Sequence, residues 1–167
     1  GFQDAADGAS HQATTYLAAV SAIPHTTVIM PSCPNEAEEF MYQAVKRFES
    51  DRAAGKDGES YIFFVGRESY PLNWVENPSY EWGRVQVLQK GSDVVLVGSG
   101  VLLNRAIEAG GQLADMGVKA TVINNPFINH PDVDTIGEAV KAAGGNLVTI
   151  EDHQSIGGMG AQLSHAL

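Results

Sequence analysis

The chain holds one cysteine, Cys33, among 167 residues, so no internal disulfide framework is possible. That usage fits a reducing, cytoplasmic compartment. Cys33 itself lies between Pro31 and Pro34 in a strand-to-helix turn, where a structural role is expected of it. Basic residues are also scarce, with 10 Lys and Arg against 20 Asp and Glu. This balance argues against nucleic acid and anionic membrane surfaces as partners. No apolar run approaches the roughly 20 residues that span a bilayer, and no charged-then-apolar leader pattern opens the chain. Internal repeats, low-complexity segments and an acidic tail are absent too. What remains is one sizeable domain or two small ones.

What is present alternates helix and strand. His11 to Ala22 is expected to be a helix, with Ser10 as its N-cap, and Thr27 to Met30 a short β-branched strand. Asn35 to Phe48 carries Ala37, Phe40, Met41, Ala44, Val45 and Phe48 at helical spacing. Asn35 with Glu38 resembles a capping box, and Lys46 and Arg47 complement the macrodipole at the other end. Asp51 to Ser60 is expected to be an exposed loop, and Tyr61 to Val65 a buried strand. Glu68 to Gly83 has two prolines and no clean period, so it reads as a connection, anchored by Trp74 and Trp82.

Beyond it the alternation is more regular. Strands are expected at Val85–Leu88, Val94–Val97, Ala120–Ile123 and Leu147–Ile150. Helices are expected at Leu102–Met116, stopped by Gly117, at Val133–Ala143, and after Gly157-Gly158-Met159-Gly160. The pattern predicts an α/β fold: three layers, with parallel-type sheets and helices on both faces. Residues 1–82 supply only two convincing buried strands, and a two-stranded parallel sheet cannot close its own core. This part is therefore expected to complete a larger domain or to pair with another chain. The whole reads as an internal fragment of a longer polypeptide.

The residues with most chemistry are Asp7-Gly8-Ala9-Ser10-His11-Gln12. A carboxylate, an imidazole and the free N–H groups of a helix start would share one small volume, suited to a polyhydroxylated or phosphorylated ligand. An ordinary capped helix after a turn accounts for the same six residues equally well. Gly98-Ser99-Gly100 follows a buried strand, but Leu103 stands at the third glycine position of a dinucleotide fingerprint. The next strand also ends in Asn124-Asn125, with no acid for a ribose. An empty backbone nest or an anion site stays open there. His25, His130 and His165 read as structural or surface residues.

Together these pieces carry a resemblance. The Asp7–Gln12 run, Ile23-Pro24, Val28-Ile29-Met30-Pro31 and Tyr61–Arg67 resemble the second half of the pyrimidine-binding domain of transketolases. From Gly91–Gly100 through Val122-Ile123-Asn124, Glu151-Asp152-His153 and Gly157–Gly160, the chain is similar to the C-terminal domain of the same enzymes. The resemblance implies that residues 1–82 are the incomplete C-terminal part of a thiamine-diphosphate pyrimidine-binding domain. Residues 83–167 would be a truncated transketolase C-terminal domain.

The family transfers a two-carbon ketol unit between sugar phosphates, using thiamine diphosphate and a divalent metal (Mg or Ca) bound between subunits. The glutamate that activates the cofactor lies upstream of this sequence, and the family's metal ligands have no counterpart in it. Implied here are substrate contacts only. Asp7 and His11 would grip sugar hydroxyls, His11 also steadying developing charge as the catalytic residue, and Arg67 would bind the sugar phosphate. No cofactor or metal ligand is expected in this stretch, which alone would be inactive. The implied partners are sugar phosphates and either a homodimer mate or the remaining N-terminal portion or subunit. Glu151, Asp152 and His153 would serve domain packing and subunit contact.

The sequence departs from the single-chain pattern in places. Ala5-Ala6 replaces the usual Gly-Glu, which puts substrate preference in doubt, and the Asp51–Ser60 insertion is unusual. Val65-Gly66-Arg67-Glu68 is closer to split transketolase C-terminal subunits. Deoxyxylulose phosphate synthases and 2-oxoacid dehydrogenase beta subunits share the architecture. A non-catalytic dimerisation or interaction module of such an enzyme is the alternative reading.

Overall fold

The structure, a computed structural model, describes Gly8, residues 11–67 and residues 69–167; Asp7 and Ser10 lie outside the described residues. Among these, α1 (Tyr16–Ser21) leads into β1 (Thr26–Ile29), α2 (Pro34–Ala53) and β2 (Ser60–Phe63). β3 (Gln86–Gln89) and β4 (Val94–Gly98) follow the connection, then α3 (Leu103–Asp115) and β5 (Ala120–Asn124). α4 (Val133–Ala142), β6 (Leu147–Ile150) and α5 (Met159–Ala166) complete the order.

The second sheet has the order β3-β5-β4-β6 and is mixed. β4 pairs in parallel with β5 and β6, whereas β3 runs antiparallel to β5 with a bulge between Val87 and Gln89. The expectation of parallel-type sheets is thus corrected at β3. Only the short turn around Gly91 separates β3 from β4, too little chain for the crossover that would bring β4 back parallel to β3, so β3 runs opposite to the parallel β4–β5 pair on whose far edge it sits. Both faces of β4 are covered. Val95 and Val97 point into one cluster with Ile136 of α4 and Met159 and Leu163 of α5. Leu96 points the other way, to Leu103 and Ala106 of α3 and Val122 of β5. This period-two division places helices on both sides of the sheet.

β1 and β2 form a two-stranded parallel sheet, with Val28 opposite Ile62 and Ile29 opposite Phe63. The other edge of β1 is taken by the segment after β5. Met30 N–H donates to the Pro126 carbonyl at 2.8 Å, Ile128 N–H donates to the Val28 carbonyl at 2.9 Å, and Ile29 bridges Phe127. The same chain therefore satisfies backbone groups that two strands alone would leave open. Phe127, Phe40 and Ile29 are buried beneath this junction, flanked by Tyr80 and Trp82. Both tryptophans anchor the connection as expected. Trp74 Nε1 donates to Ser32 Oγ at 3.0 Å, and the ring of Trp82 meets Phe127 edge-on at 5.1 Å.

Helix boundaries differ from the expectation at both ends of the first part. α1 starts at Tyr16, not His11, with Thr15 as N-cap and no side-chain capping bond. Ala13-Thr14-Thr15 is exposed, and its two β-branched residues have little helix propensity, so the helix begins only where Tyr16 finds packing. α2 starts one residue earlier, at Pro34, and runs on to Ala53, shortening the expected loop. Its end is a Schellman motif: Gly55 (φ 66°) N–H donates to the Arg52 carbonyl and Lys56 N–H to that of Asp51. Asn35 does not cap α2. Cys33 is the N-cap, and the first-turn acid that folds back is Glu36.

Candidate functional site at the carboxyl ends of the strands

α1 packs on β1 and runs against it through the short link Ala22–His25. The start of α1, with the loop that carries His11, thus lies at the carboxyl end of β1. β2 is parallel to β1, so the loop carrying Arg67 leaves from the same end. Contacts around Tyr16 hold the two loops together. Its ring lies 4.6 Å from that of Phe64, just past β2, and its hydroxyl donates to the Asp152 carbonyl at 3.2 Å. The Tyr16 ring also meets His153 edge-on at 5.3 Å. Carboxyl ends of β1, β2 and β6 therefore converge on this one phenol. Burial, reinforced by the Asp152 and Glu151 carboxylates, pushes its pKa up to about 12.

His11 is exposed in a turn, its N–H donating to the Gly8 carbonyl at 2.9 Å. α1 starts five residues later, so His11 does not stand in its first turn, and the expected helix from His11 to Ala22 is corrected. Arg67 is exposed in a bend after β2. Asp7, the third expected sugar contact, falls outside the described residues.

The Glu151-Asp152-His153 trio packs the fold internally. Glu151 accepts from the N–H groups of Met159 and Gly160, capping α5 with a carboxylate at its positive end. A Cβ on Gly158 would fall 2.5 Å from that carboxylate, which is why glycine stands there. A Cβ on Gly157 (φ 71°) would fall equally close to the Cβ of Ala18, so this loop before α5 lies against α1.

A second polar group at the strand ends was not foreseen in the sequence. Glu36, 1 % exposed, accepts from Ser32 N–H at 2.6 Å, Ser32 Oγ at 2.8 Å and Asn124 Nδ2 at 2.7 Å. Burial pushes its carboxyl pKa up, against the opposing pull of these bonds. Pro34 marks the helix start and puts Glu36 in its first turn, the one signal that could have found it. Among the described residues, no group of three or more His, Cys, Asp and Glu side chains is placed to hold a metal ion.

Residues 83–167, just over half of the chain, match the family described as transketolase, C-terminal domain. The chain belongs to the transketolase family. Human transketolase-like protein 2 is 33 % identical over 96 % of this chain and 24 % of its own length. One of the subunits of the apulose-4-phosphate transketolase of Actinobacillus succinogenes is 26 % identical over 95 % of this chain and 47 % of its own. A solved split-gene transketolase, described as an inactive beta4 tetramer, superposes with a TM-score of 0.74 at 31 % identity, covering 96 % of this chain and 50 % of that one. The chain thus spans between about a quarter and a half of the length of these relatives. None of its described helices is long and apolar enough to cross a membrane.

Proposed function

We propose that this chain is the substrate-contacting part, fragment or subunit, of a thiamine-diphosphate-dependent transketolase that moves a two-carbon ketol unit between sugar phosphates. Residues 1–82 would complete a pyrimidine-binding domain, and residues 83–167 would form the C-terminal domain. The observation that carries the reading is the convergence of the His11 and Arg67 loops at one end of the β1–β2 sheet, around Tyr16. Asp7 and His11 then hold sugar hydroxyls, the neutral imidazole both donating and accepting as a diol requires. Arg67 takes the phosphate with its planar fork. The cofactor supplies the carbanion chemistry and belongs to parts outside this chain, which by itself is inactive. Association with such a part, as a subunit or a homodimer mate, is in keeping with the split-gene relatives.

A second reading, a non-catalytic interaction module, is favoured by one observation. Met41, Val45 and Phe48 lie along one side of α2, each more than 40 % exposed. The split-gene relative is described as an inactive tetramer, so association without activity has a precedent in the family.

Kinetics on the active assembly separate the two. Arg67→Ala should raise KM for a phosphorylated acceptor roughly tenfold or more, from the loss of charge-assisted bonds worth about 1.5–3 kcal/mol each. An unphosphorylated acceptor should be unaffected. Equal losses for both acceptors would remove the phosphate role, and unchanged kinetics in both Arg67→Ala and His11→Ala would favour the interaction module.

A further inference from the structure

Glu36 is 1 % exposed, and among the described residues no Lys, Arg or His forms an ion pair with it. Buried charges are normally paired or bound to a cation. Ser32 N–H and Ser32 Oγ both donate to its Oε2, and the Asn124 amide lies 2.7 Å from its Oε1. With Glu36 as a carboxylate, two buried acceptors beyond it stay idle. Asn124 Oδ1 has no hydrogen bond, and neither has the Oε1 of Gln86. Gln86 stands directly opposite Asn124 in the antiparallel β3–β5 pair, so the two side chains leave the same face of the sheet as neighbours. Each idle acceptor carries its desolvation cost with no bond in return.

One proton accounts for both. The nitrogen and oxygen of an amide are alike in size, so half a turn of the Asn124 side-chain amide exchanges them without repacking. Oδ1 then faces Glu36 Oε1 across the same 2.7 Å, an ordinary length for an O–H···O bond. We infer that Glu36 is held as a neutral carboxylic acid whose Oε1–H donates to Asn124 Oδ1, while Asn124 Nδ2 donates on to Gln86 Oε1, a proton-dependent latch between the start of α2 and the β3–β5 pair. Oε2 keeps its bonds from Ser32. Burial, the largest influence on this carboxyl, favours the protonated form in the same sense. The titratable groups beside it are the Cys33 thiol and the Tyr80 phenol, both pushed up by burial and so neutral alongside it. Glu81 and Arg84 line the cleft that Glu36 borders, and Arg84 is held by Asp132 at 3.1 Å and by Thr135 Oγ1 at 3.0 Å. Loss of the proton leaves a buried anion and two idle acceptors, so the latch weakens as the pH rises. This inference does not rest on the ketol-transfer reading.

Glu36→Gln copies the neutral acid, with an amide N–H in place of the O–H. Urea midpoints of the natural protein and this variant, each in the assembly it forms, should diverge across the neutral range. A carboxyl whose folded pKa is raised above its ordinary value of 4.5 contributes stability that is complete below pH 4.5 and lost as the pH rises through the folded value. The unfolding constant of the natural protein should therefore grow about tenfold per pH unit relative to that of Glu36→Gln. Infrared spectra of protein carrying isotope-labelled glutamate should show, at neutral pH, a protonated-carboxyl stretch that the variant lacks. If Glu36→Gln does not fold, the natural protein alone decides, since its glutamate acid band should persist at neutral pH and bleach only in alkali. Absence of that band at neutral pH, or a stability gap constant across the neutral range, would overturn the inference.

Discussion

The Tyr16 hydroxyl donates to the backbone carbonyl of Asp152 across 136 residues of sequence, at 3.2 Å. This bond fastens the start of α1 to the loop after β6, while the Tyr16 ring packs on Phe64 beyond β2. The loop with His11 and the loop with Arg67 are thus braced against the second half of the chain before any ligand arrives. On the proposed function, preorganisation of this kind would hold the two loops in register without ordering cost at binding.

Tyr16→Phe keeps the ring and removes the bond, so stability should fall by about 1 kcal/mol. The pH dependence gives the sign. A phenol with its folded pKa raised from 10.0 to about 12 contributes stability that is fully present below pH 10 and lost as the pH rises through 12. The gap between the natural protein and Tyr16→Phe should therefore be constant up to pH 10 and narrow above it. Urea midpoints measured along an alkaline pH series check this.

Phe127 closes the junction between the two sheets, touching Phe40 at 5.0 Å and Trp82 at 5.1 Å between ring centroids. Phe127→Ala should cost about 3–5 kcal/mol. Because Ile29 and Met30 bond to the same segment, both parts should lose stability together. Indole fluorescence and far-ultraviolet dichroism should give coincident unfolding curves, shifted equally by the substitution. A fluorescence shift without a dichroism shift would show that the parts unfold separately.

Asp93 is an exposed carboxylate whose pKa is lowered, mainly because the Lys119 backbone N–H donates to it at 2.7 Å, with help from Ser92 Oγ. A depressed carboxyl contributes stability above its unfolded pKa and loses it as the pH falls through the folded value. Asp93→Asn should accordingly be less stable than the natural protein at neutral pH. The difference should shrink below about pH 3.8, the ordinary value for the side chain. Acid titration of the denaturation midpoint for both proteins measures it.

Local signals carry most of this architecture. Leu147–Ile150 is legible to the residue as a strand, and the Gly117 stop of α3 follows from a glycine at the position a helix end favours. Direction is not legible for β3, since apolar content says nothing about parallel or antiparallel pairing. α1 reads too long because Ser10 offers an N-cap in the sequence, while the exposure of Ala13-Thr14-Thr15 does not appear there. Glu36 is hidden behind Glu38 because the pattern S/T/N-x-x-E matches Asn35, one place after the residue that Pro34 allows as first in the helix. Its partner Asn124 lies 88 residues away, a contact that only the fold creates.

The most direct test of the central claim is ketol transfer by the assembly of this chain with the cofactor-holding portion, measured with natural protein and with His11→Ala. Activity is expected only when both portions are present, with a loss of about 10²-fold or more in kcat/KM for the variant, within the range for a group acting on developing charge. Full activity of His11→Ala, or of the cofactor-holding portion without this chain, would contradict it.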